Sequence, residues 1–174
     1  MAMTAETTEI AVAKVFAVEG GFVNDPKDAG GATNMGITQK TLSRWRGKSA
    51  SADDVRNLPL TEAKAIYEKY YWGAMNCQAI ADNAIATALF DVGVNMGGPT
   101  AIGLLQKAFG IPITRHLDEN TLVEIEVLTP TALFSRFIPV VQNRYVDLVL
   151  KNPPQIKFLK GWLKRSQRLM ELLI

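Results

Sequence analysis

The stretch EGGFVNDPKDAGGATNMGIT, residues 19–38, decides the fold of this chain. It holds five of the 13 glycines, between Gly20 and Gly36, together with Pro26 and several Asx residues. Glycine, proline and Asx residues interrupt regular structure and favour turns. The pattern therefore predicts a loop and a short hairpin over Phe22–Ile37, inserted into a chain that otherwise has helical periodicity.

Helical periodicity on both sides of this insert predicts a mainly α protein. The first helix is predicted over Glu9–Val18, and the longest apolar stretch, Ala79–Met96, is predicted to be a central buried helix. The other predicted helices are Thr38–Trp45, a short turn at Ser51–Leu58, a helix capped by Thr61, Thr100–Phe109, Asn120–Leu128, and a long helix from Pro130 that Pro139 should kink or interrupt. This order predicts a helical bundle around a central buried helix, with a small β-hairpin after the first helix.

Length and composition restrict the chemistry that the chain can perform. The 174 residues, of which 48% are apolar, predict one globular unit with a substantial core. Cys77 is the only cysteine, which excludes an intrachain disulfide and a thiolate metal cage. His116 is the only histidine, which excludes a metal site built from several histidines. We expect neither a metal nor a cofactor.

The sequence also bears on where the protein acts. No apolar run reaches 18 residues, so no transmembrane helix is predicted. The N-terminus has no basic residues ahead of an apolar stretch, so no cleaved secretory signal is predicted. We therefore expect synthesis in the cytoplasm.

The basic charge is concentrated at the C-terminal end. Residues 157–174 carry five of the 19 basic residues and one of the 17 acidic residues, with apolar residues at helical spacing. The pattern predicts a basic amphipathic helix, either docked on the core or in weak contact with an anionic membrane. The mildly acidic remainder argues against binding to nucleic acid, which requires a broad basic face.

Glu19 is the candidate general acid. It lies at the predicted C-terminal end of the first helix beside apolar Val18 and Phe22, where the helix dipole and desolvation both favour the protonated acid. Such an acid can donate a proton to a leaving oxygen. Asp28 could stabilise positive charge on a sugar ring or activate water, and Thr33 could orient that water. The same residues also fit a solvated helix end and turn openers.

Residues 19–38 resemble the signature of glycoside hydrolase family 108, the N-acetylmuramidases found as phage endolysins and secretion activator proteins. Three further segments resemble this family: AIYEKYYW (residues 65–72), ALFDVGVNMG (residues 88–97) and AIGLLQKAF (residues 101–109). In the family, the last of these begins a peptidoglycan-binding region. The resemblance therefore covers most of the chain.

The resemblance implies a lysozyme-like fold and hydrolysis of the β-1,4 bond between N-acetylmuramic acid and N-acetylglucosamine, with Glu19 as the general acid. It also implies that Asp28 and Thr33 correspond to an Asp and a Thr of phage lysozymes. This chain has one residue fewer between the two than the phage lysozymes have. The implied regions are a lysozyme-like catalytic region, residues 1–97, and a C-terminal helical region, residues 98–174, packed as one unit. We expect a monomer that acts on peptidoglycan strands in the periplasm, after holin- or secretion-dependent release.

One segment departs from the family pattern. Relatives usually carry an Asp-Gly-x-x-Gly-x-x-Thr turn where this chain reads ITRHLDENTL, residues 113–122, without glycine. Because glycine permits backbone conformations that other residues avoid, we expect a different loop there.

Tyr71 and Asn95 are the candidate substrate-binding residues. Tyr71 offers a ring for stacking on a sugar, although aromatic residues at helical spacing also occur in cores. Asn95 offers an amide for an N-acetyl group or a hydroxyl. Asp91 is expected to be a structural acceptor and His116 a loop residue. Two alternatives to the hydrolase stay open: a non-catalytic peptidoglycan-binding or secretion-assisting protein, and a lytic transglycosylase.

Overall fold

The structure is a computed structural model, and it describes residues 11–13, 15, 21–24 and 31–174. The chain divides into two compact units: an N-terminal unit, Ala5–Tyr70, and a C-terminal unit that contains Tyr71–Ile174. The predicted catalytic region, residues 1–97, and the predicted C-terminal helical region, residues 98–174, were defined by function and not by packing. They stay a prediction.

The N-terminal unit combines helices with one small hairpin. Residues 11–13 and 15 are helical, and Ala11, Val12 and Val15 are buried. The rest of the predicted first helix, including Glu9, lies outside the described residues. The elements that follow are β1 (Thr33–Asn34), β2 (Ile37–Thr38), α1 (Gln39–Arg46), α2 (Ala52–Arg56) and α3 (Leu60–Tyr67), and a π-helix over Glu68–Gly73 continues from α3.

Local capping explains where these helices begin. Thr38 caps α1, as predicted, because its hydroxyl oxygen accepts a hydrogen bond from the Thr41 amide at 3.2 Å. Ser51 and Asp54 form a reciprocal capping box at the start of α2. The prediction that Thr61 caps the next helix is wrong, because α3 already begins at Leu60. Pro59 precedes it and offers no side-chain cap, but its ring fixes a φ angle of −64° close to the helical value.

Arg46 connects α1, α2 and α3 of the N-terminal unit. Its guanidinium donates to both carboxylate oxygens of Glu62 at 2.8 and 2.9 Å and to Asp54 at 2.8 Å. The Arg46 hydrogen bonds hold the pKa of Glu62 below its usual value. The pKa of Asp54 is also lowered, first by hydrogen bonds from Ser51 and then by Arg46. Both carboxylates therefore stay ionised in this bidentate arrangement.

The C-terminal unit is helical throughout its regular elements. They are a 3-10 turn at Cys77–Ala79, α4 (Asn83–Met96), α5 (Gly98–Phe109), α6 (Glu119–Glu126), α7 (Pro130–Lys151), a 3-10 turn at Pro153–Gln155, α8 (Ile156–Arg168) and a 3-10 turn at Leu169–Leu173. Helix α4 is buried along Ile85–Phe90 and packs on α5 and α7, so it is the predicted central helix. It starts at Asn83 because the Asp82 carboxylate accepts from the Ile85 amide at 2.9 Å.

The described residues confirm the predicted fold class. They are mainly helical, with one two-stranded antiparallel sheet, and a central buried helix organises the C-terminal unit. Cys77 is fully buried, and burial raises the pKa of its thiol to about 12. Cys77 is therefore a small buried thiol. Within the described part of the chain, no helix is both long and apolar enough to cross a bilayer.

Helix α7 continues through Pro139, so the predicted interruption there is wrong. Proline removes the hydrogen bond to the carbonyl four residues earlier, which belongs to Ser135. Ser135 and Pro139 are both exposed, so water can hydrate that carbonyl. The opposite face buries Phe134, Phe137 and Val141, and this packing favours a continuous helix.

The basic C-terminal helix is docked within its unit. Trp162 of α8 stacks on Tyr145 of α7 with ring centroids 5.2 Å apart. Arg165 donates to the Asp91 carboxylate of α4 at 2.8 Å, and Ser166 is buried. The side chains of Arg165 and Asp91 are only 11% and 15% exposed. Asp91 is therefore a structural acceptor, as predicted.

We predict that Arg165→Met lowers the free energy of unfolding by about 3–5 kcal/mol, because it removes the Arg165 charge and its hydrogen bonds from the largely buried Asp91 carboxylate. Arg168→Met, on an exposed residue of the same helix, should change it by less than about 0.5 kcal/mol. Denaturant titration measures both values. Equal effects of the two substitutions would show that the ion pair contributes nothing specific.

Candidate functional site

The predicted hairpin is present and has a tight two-residue turn. Thr33 pairs with Thr38 and Asn34 with Ile37, so that Met35 and Gly36 form the turn. Both turn residues have positive φ angles, 50° and 71°, which is typical of a type I′ hairpin turn. Glycine adopts this conformation freely, but methionine does so at a cost. The hydroxyl of Tyr67 donates to the Met35 carbonyl at 3.0 Å and stabilises the turn.

Thr33 also pairs with Val23. The backbone amides of Val23 and Thr33 each donate to the carbonyl of the other at 2.8 Å. This bridge brings together the described residues on either side of positions 25–30 of the sequence. Glu19 and Asp28 themselves lie outside the described residues. The Thr33 side chain is half-buried, and its hydroxyl forms no hydrogen bond with another described residue.

Two contacts attach this hairpin to helix α2. The Asn34 side-chain amide donates to the carbonyls of Val55 and Arg56 at 3.0 and 3.1 Å. The Arg56 guanidinium lies 4.1 Å from the centre of the Phe22 ring, which is a cation–π contact. Chain positions near Glu19 and Asp28 are thus held by contacts with the rest of the N-terminal unit.

Tyr71 lies in the π-helix Glu68–Gly73 and is half-buried. Its carbonyl accepts from the Met75 amide at 3.0 Å. The next residue, Trp72, is buried and packs edge-on against Phe90 with ring centroids 5.4 Å apart. Wide helical turns of this kind are frequent at functional sites. The sugar-stacking role of Tyr71 stays a prediction.

Asn95 is exposed near the C-terminal end of α4 and borders a cavity of about 270 Å³, which we call the Asn95 cavity. The Tyr145 hydroxyl donates to Asn95 Oδ1 at 2.9 Å. Burial raises the pKa of Tyr145 to about 12, so the hydroxyl remains a donor at neutral pH. This hydrogen bond orients the amide so that Nδ2 is left to donate to a ligand. The Trp162 ring and Arg144 also line the cavity.

Tyr145, Trp162 and Arg144 were not among the residues predicted from sequence. Tyr145 and Asn95 are 50 positions apart, and no local pattern announces a hydrogen bond over that separation. Tyr145 resembled an ordinary core residue, and Trp162 belonged to the basic amphipathic stretch. Tyrosine and tryptophan carry a polar group on an aromatic ring, and this group usually finds a hydrogen-bond partner when the ring is buried. This was the one signal that the sequence offered for Tyr145 and Trp162.

In the part of the chain that the structure describes, no three His, Cys, Asp or Glu side chains lie close enough together to hold a metal ion. His116 is exposed in the connector before α6, where it was expected as a loop residue.

The hairpin and the central helix define a lysozyme-like α+β protein. The family model of glycosyl hydrolase 108 matches residues 12–97, which include the hairpin and α4. Among solved structures, SagA of Brucella abortus is similar, with 31% sequence identity and a TM-score of 0.79, covering 98% of this chain and 95% of that chain. No curated protein matches the sequence. The chain belongs to glycosyl hydrolase family 108, which supports a lysozyme-like role on peptidoglycan.

Tyr67→Phe should destabilise the protein by about 1–2 kcal/mol, because the Met35 carbonyl loses its donor in a turn that already has an unfavourable φ angle. Tyr70→Phe is the matched control, since the Tyr70 hydroxyl forms no hydrogen bond with another described residue. Thermal and denaturant unfolding measure the difference. If both variants unfold like the parent chain, the hydroxyl does not support the hairpin.

Proposed function

We propose that the protein is an N-acetylmuramidase, which hydrolyses the β-1,4 bond between N-acetylmuramic acid and N-acetylglucosamine in peptidoglycan. The observation that carries this proposal is the family match over residues 12–97, which span Glu19, Asp28, Thr33 and Asn95. Free peptidoglycan strands are the substrate. The reaction needs acid–base groups and water, and no cofactor or nucleic acid takes part.

Glu19 is proposed to donate a proton to the glycosidic oxygen as the bond breaks. Asp28 stabilises the positive charge that develops on the sugar ring or activates the attacking water. The Thr33 hydroxyl orients that water. Two observations support these roles: Val23 and Thr33, between which Asp28 lies in the sequence, are paired through their backbones, and the Thr33 hydroxyl has no partner among the described residues.

Asn95 and Tyr71 are proposed to bind the glycan. The Asn95 amide, held by Tyr145, presents Nδ2 as a donor for an acetamido carbonyl or a hydroxyl. The Trp162 ring beside it offers an apolar face for a sugar. A few oriented polar groups together with an aromatic surface are typical of a carbohydrate site. Tyr71 would add a second aromatic surface.

We predict that Glu19→Gln lowers hydrolysis of purified peptidoglycan by at least about 100-fold, because glutamine cannot donate the proton. Mass spectrometry of the soluble fragments measures both the rate and the chemistry. The wild type should release fragments with a reducing-end N-acetylmuramic acid. Glu126→Gln, which changes an exposed glutamate outside the proposed site, is the matched control and should retain full activity.

The same fragments distinguish the alternatives. Anhydro-muramic ends would identify a lytic transglycosylase, which uses one acid–base group and adds no water. Retention of insoluble peptidoglycan without any fragments would identify a non-catalytic peptidoglycan-binding or secretion-assisting protein. Either result would overturn the hydrolase proposal, as would equal activity of Glu19→Gln and wild type.

The protein is further proposed to act as a monomer on the periplasmic side of the inner membrane after holin- or secretion-dependent release, with weak contact to anionic lipid through residues 157–174. The outer face of this segment supports the contact. Phe158 and Met170 are 48% and 45% exposed, and Lys157, Lys160 and Lys164 are exposed as well. Exposed apolar and cationic side chains together in one segment are typical of interfacial helices.

Replacing Lys160 and Lys164 together by Gln should weaken co-sedimentation with phosphatidylglycerol vesicles by about tenfold or more, since each cation near an anionic surface contributes about 1 kcal/mol. The matched control replaces Lys40 and Lys48, which are exposed in the N-terminal unit. Equal loss in both pairs, or no binding by the wild type, would reject the membrane contact.

A further inference from the structure

A second cavity of about 270 Å³ lies next to the Asn95 cavity, and the two share Thr100 and Arg144 as lining residues. Lys107 of α5, Arg115 of the following connector, and Arg144 and Asp147 of α7 also line it. We call it the basic cavity, because it combines three cationic side chains with one carboxylate. Sugar hydroxyls and acetamido groups carry no charge that could pair with these side chains.

Arg144 is the central cation of this set. It is half-buried, and its guanidinium forms neither a hydrogen bond nor an ion pair with any residue that the structure describes. Removing a charge from water is unfavourable unless an opposite charge compensates it. A ligand anion would provide this compensation. Carboxylates fit a guanidinium best, since the two groups can form parallel hydrogen bonds.

A buried glutamine fixes the connector that carries Arg115. Gln106 is completely buried, and its side-chain nitrogen lies within hydrogen-bonding distance of Thr114 Oγ1, the His116 carbonyl and Thr121 Oγ1, at 2.8, 2.9 and 2.9 Å. Its side-chain oxygen accepts from the Arg115 amide at 2.9 Å. The connector is therefore held at several points by one side chain of α5.

Arg115 has a φ angle of 62°, a left-handed conformation that is uncommon for residues other than glycine. This is the segment without glycine in which a loop different from that of the relatives was expected. Gly103 lets the loop approach α5, since a Cβ there would lie 3.2 Å from Ile113 Cγ2 and 3.3 Å from Arg115 Cγ. Unfavourable backbone conformations that are held in place by their surroundings concentrate at functional sites.

The arrangement of charges suits a zwitterion. Arg144, Arg115 and Lys107 are donors for a carboxylate, whereas Asp147 is an acceptor for an ammonium group. Asp147 forms no ion pair with another described residue. An amino acid end, which carries both groups on one carbon, would satisfy the cations and the carboxylate together. A phosphate or an isolated carboxylate offers no ammonium group to Asp147.

We propose that the basic cavity binds the amino-carboxylate end of a peptidoglycan stem peptide. Stem peptides that contain diaminopimelate carry an ammonium and a carboxylate on one carbon when they are not cross-linked. The identity of this ligand rests on the proposed function. Because the two cavities share Arg144 and Thr100, a glycan at Asn95 and its peptide at the basic cavity can be bound by adjoining surfaces.

The test is calorimetric or NMR titration of the full chain with a synthetic stem tripeptide that ends in meso-diaminopimelate. The tripeptide has no glycosidic bond, so its binding does not depend on Glu19, and failure of the hydrolase proposal is measured separately. Arg144→Gln should raise the Kd by about tenfold or more, as expected for the loss of a charged hydrogen bond. Arg136→Gln, on an exposed residue of the same helix, should leave the Kd unchanged.

Two further measurements address specificity. Asp147→Asn should abolish the preference for the free tripeptide over the same peptide acetylated at the diaminopimelate amine. Lys107→Gln, on an exposed side chain, provides a second cation variant if Arg144→Gln does not fold by circular dichroism. The proposal is overturned by absence of binding at millimolar tripeptide, by equal Kd values for Arg144→Gln and Arg136→Gln, or by displacement with inorganic phosphate at equal affinity.

Discussion

The ion pair between Asp91 and Arg165 sets the geometry of the C-terminal unit. It joins the central helix α4 to α8, and its two charges are largely removed from water. Such a pair contributes little net stability, but losing either partner is costly, so it selects one packing of the helices over its alternatives. The stacking of Trp162 on Tyr145 belongs to the same packing. Tyr145, on which Trp162 of α8 stacks, donates a hydrogen bond to Asn95. Arg144 lies next to Tyr145 in α7, so the docking of α8 also affects the position of Arg144.

In the N-terminal unit, the geometry near Thr33 is set by backbone hydrogen bonds between paired strands. A Met-Gly turn needs two positive φ angles, and only the glycine adopts one without cost. The Tyr67 hydroxyl offsets part of the cost at Met35, and Asn34 binds the hairpin to α2. Thr33 thus belongs to a hairpin whose shape is set by hydrogen bonds, whereas the cavities of the C-terminal unit are set by packed helices.

The main elements could be predicted from sequence because they depend on local patterns. The five glycines between Gly20 and Gly36 predicted the hairpin, and the long apolar stretch that ends at Met96 predicted α4. The errors at Thr61 and Pro139 arose where tertiary context prevails: α3 starts after Pro59, two residues earlier than predicted, and packing of Phe134 and Phe137 favours a continuous α7. Neither cavity could be predicted, since each joins residues from helices that are distant in sequence. Glu19 was predicted from its place at a predicted helix end, and the resemblance to the family added the expected roles of Glu19 and Asp28, which periodicity does not encode.

The basic tail shows why a count of charges is a weak guide to function. Composition alone makes residues 157–174 uniformly cationic, yet Arg165 is turned inward and paired with Asp91. Lys157, Lys160 and Lys164 are exposed and keep their charge for solvent or a surface. On this helix Arg165, which forms directed hydrogen bonds with a carboxylate, lies on the docked side, whereas the three strongly hydrated lysines and Arg168 are exposed. A single short helix can therefore both complete the core and present a cationic surface.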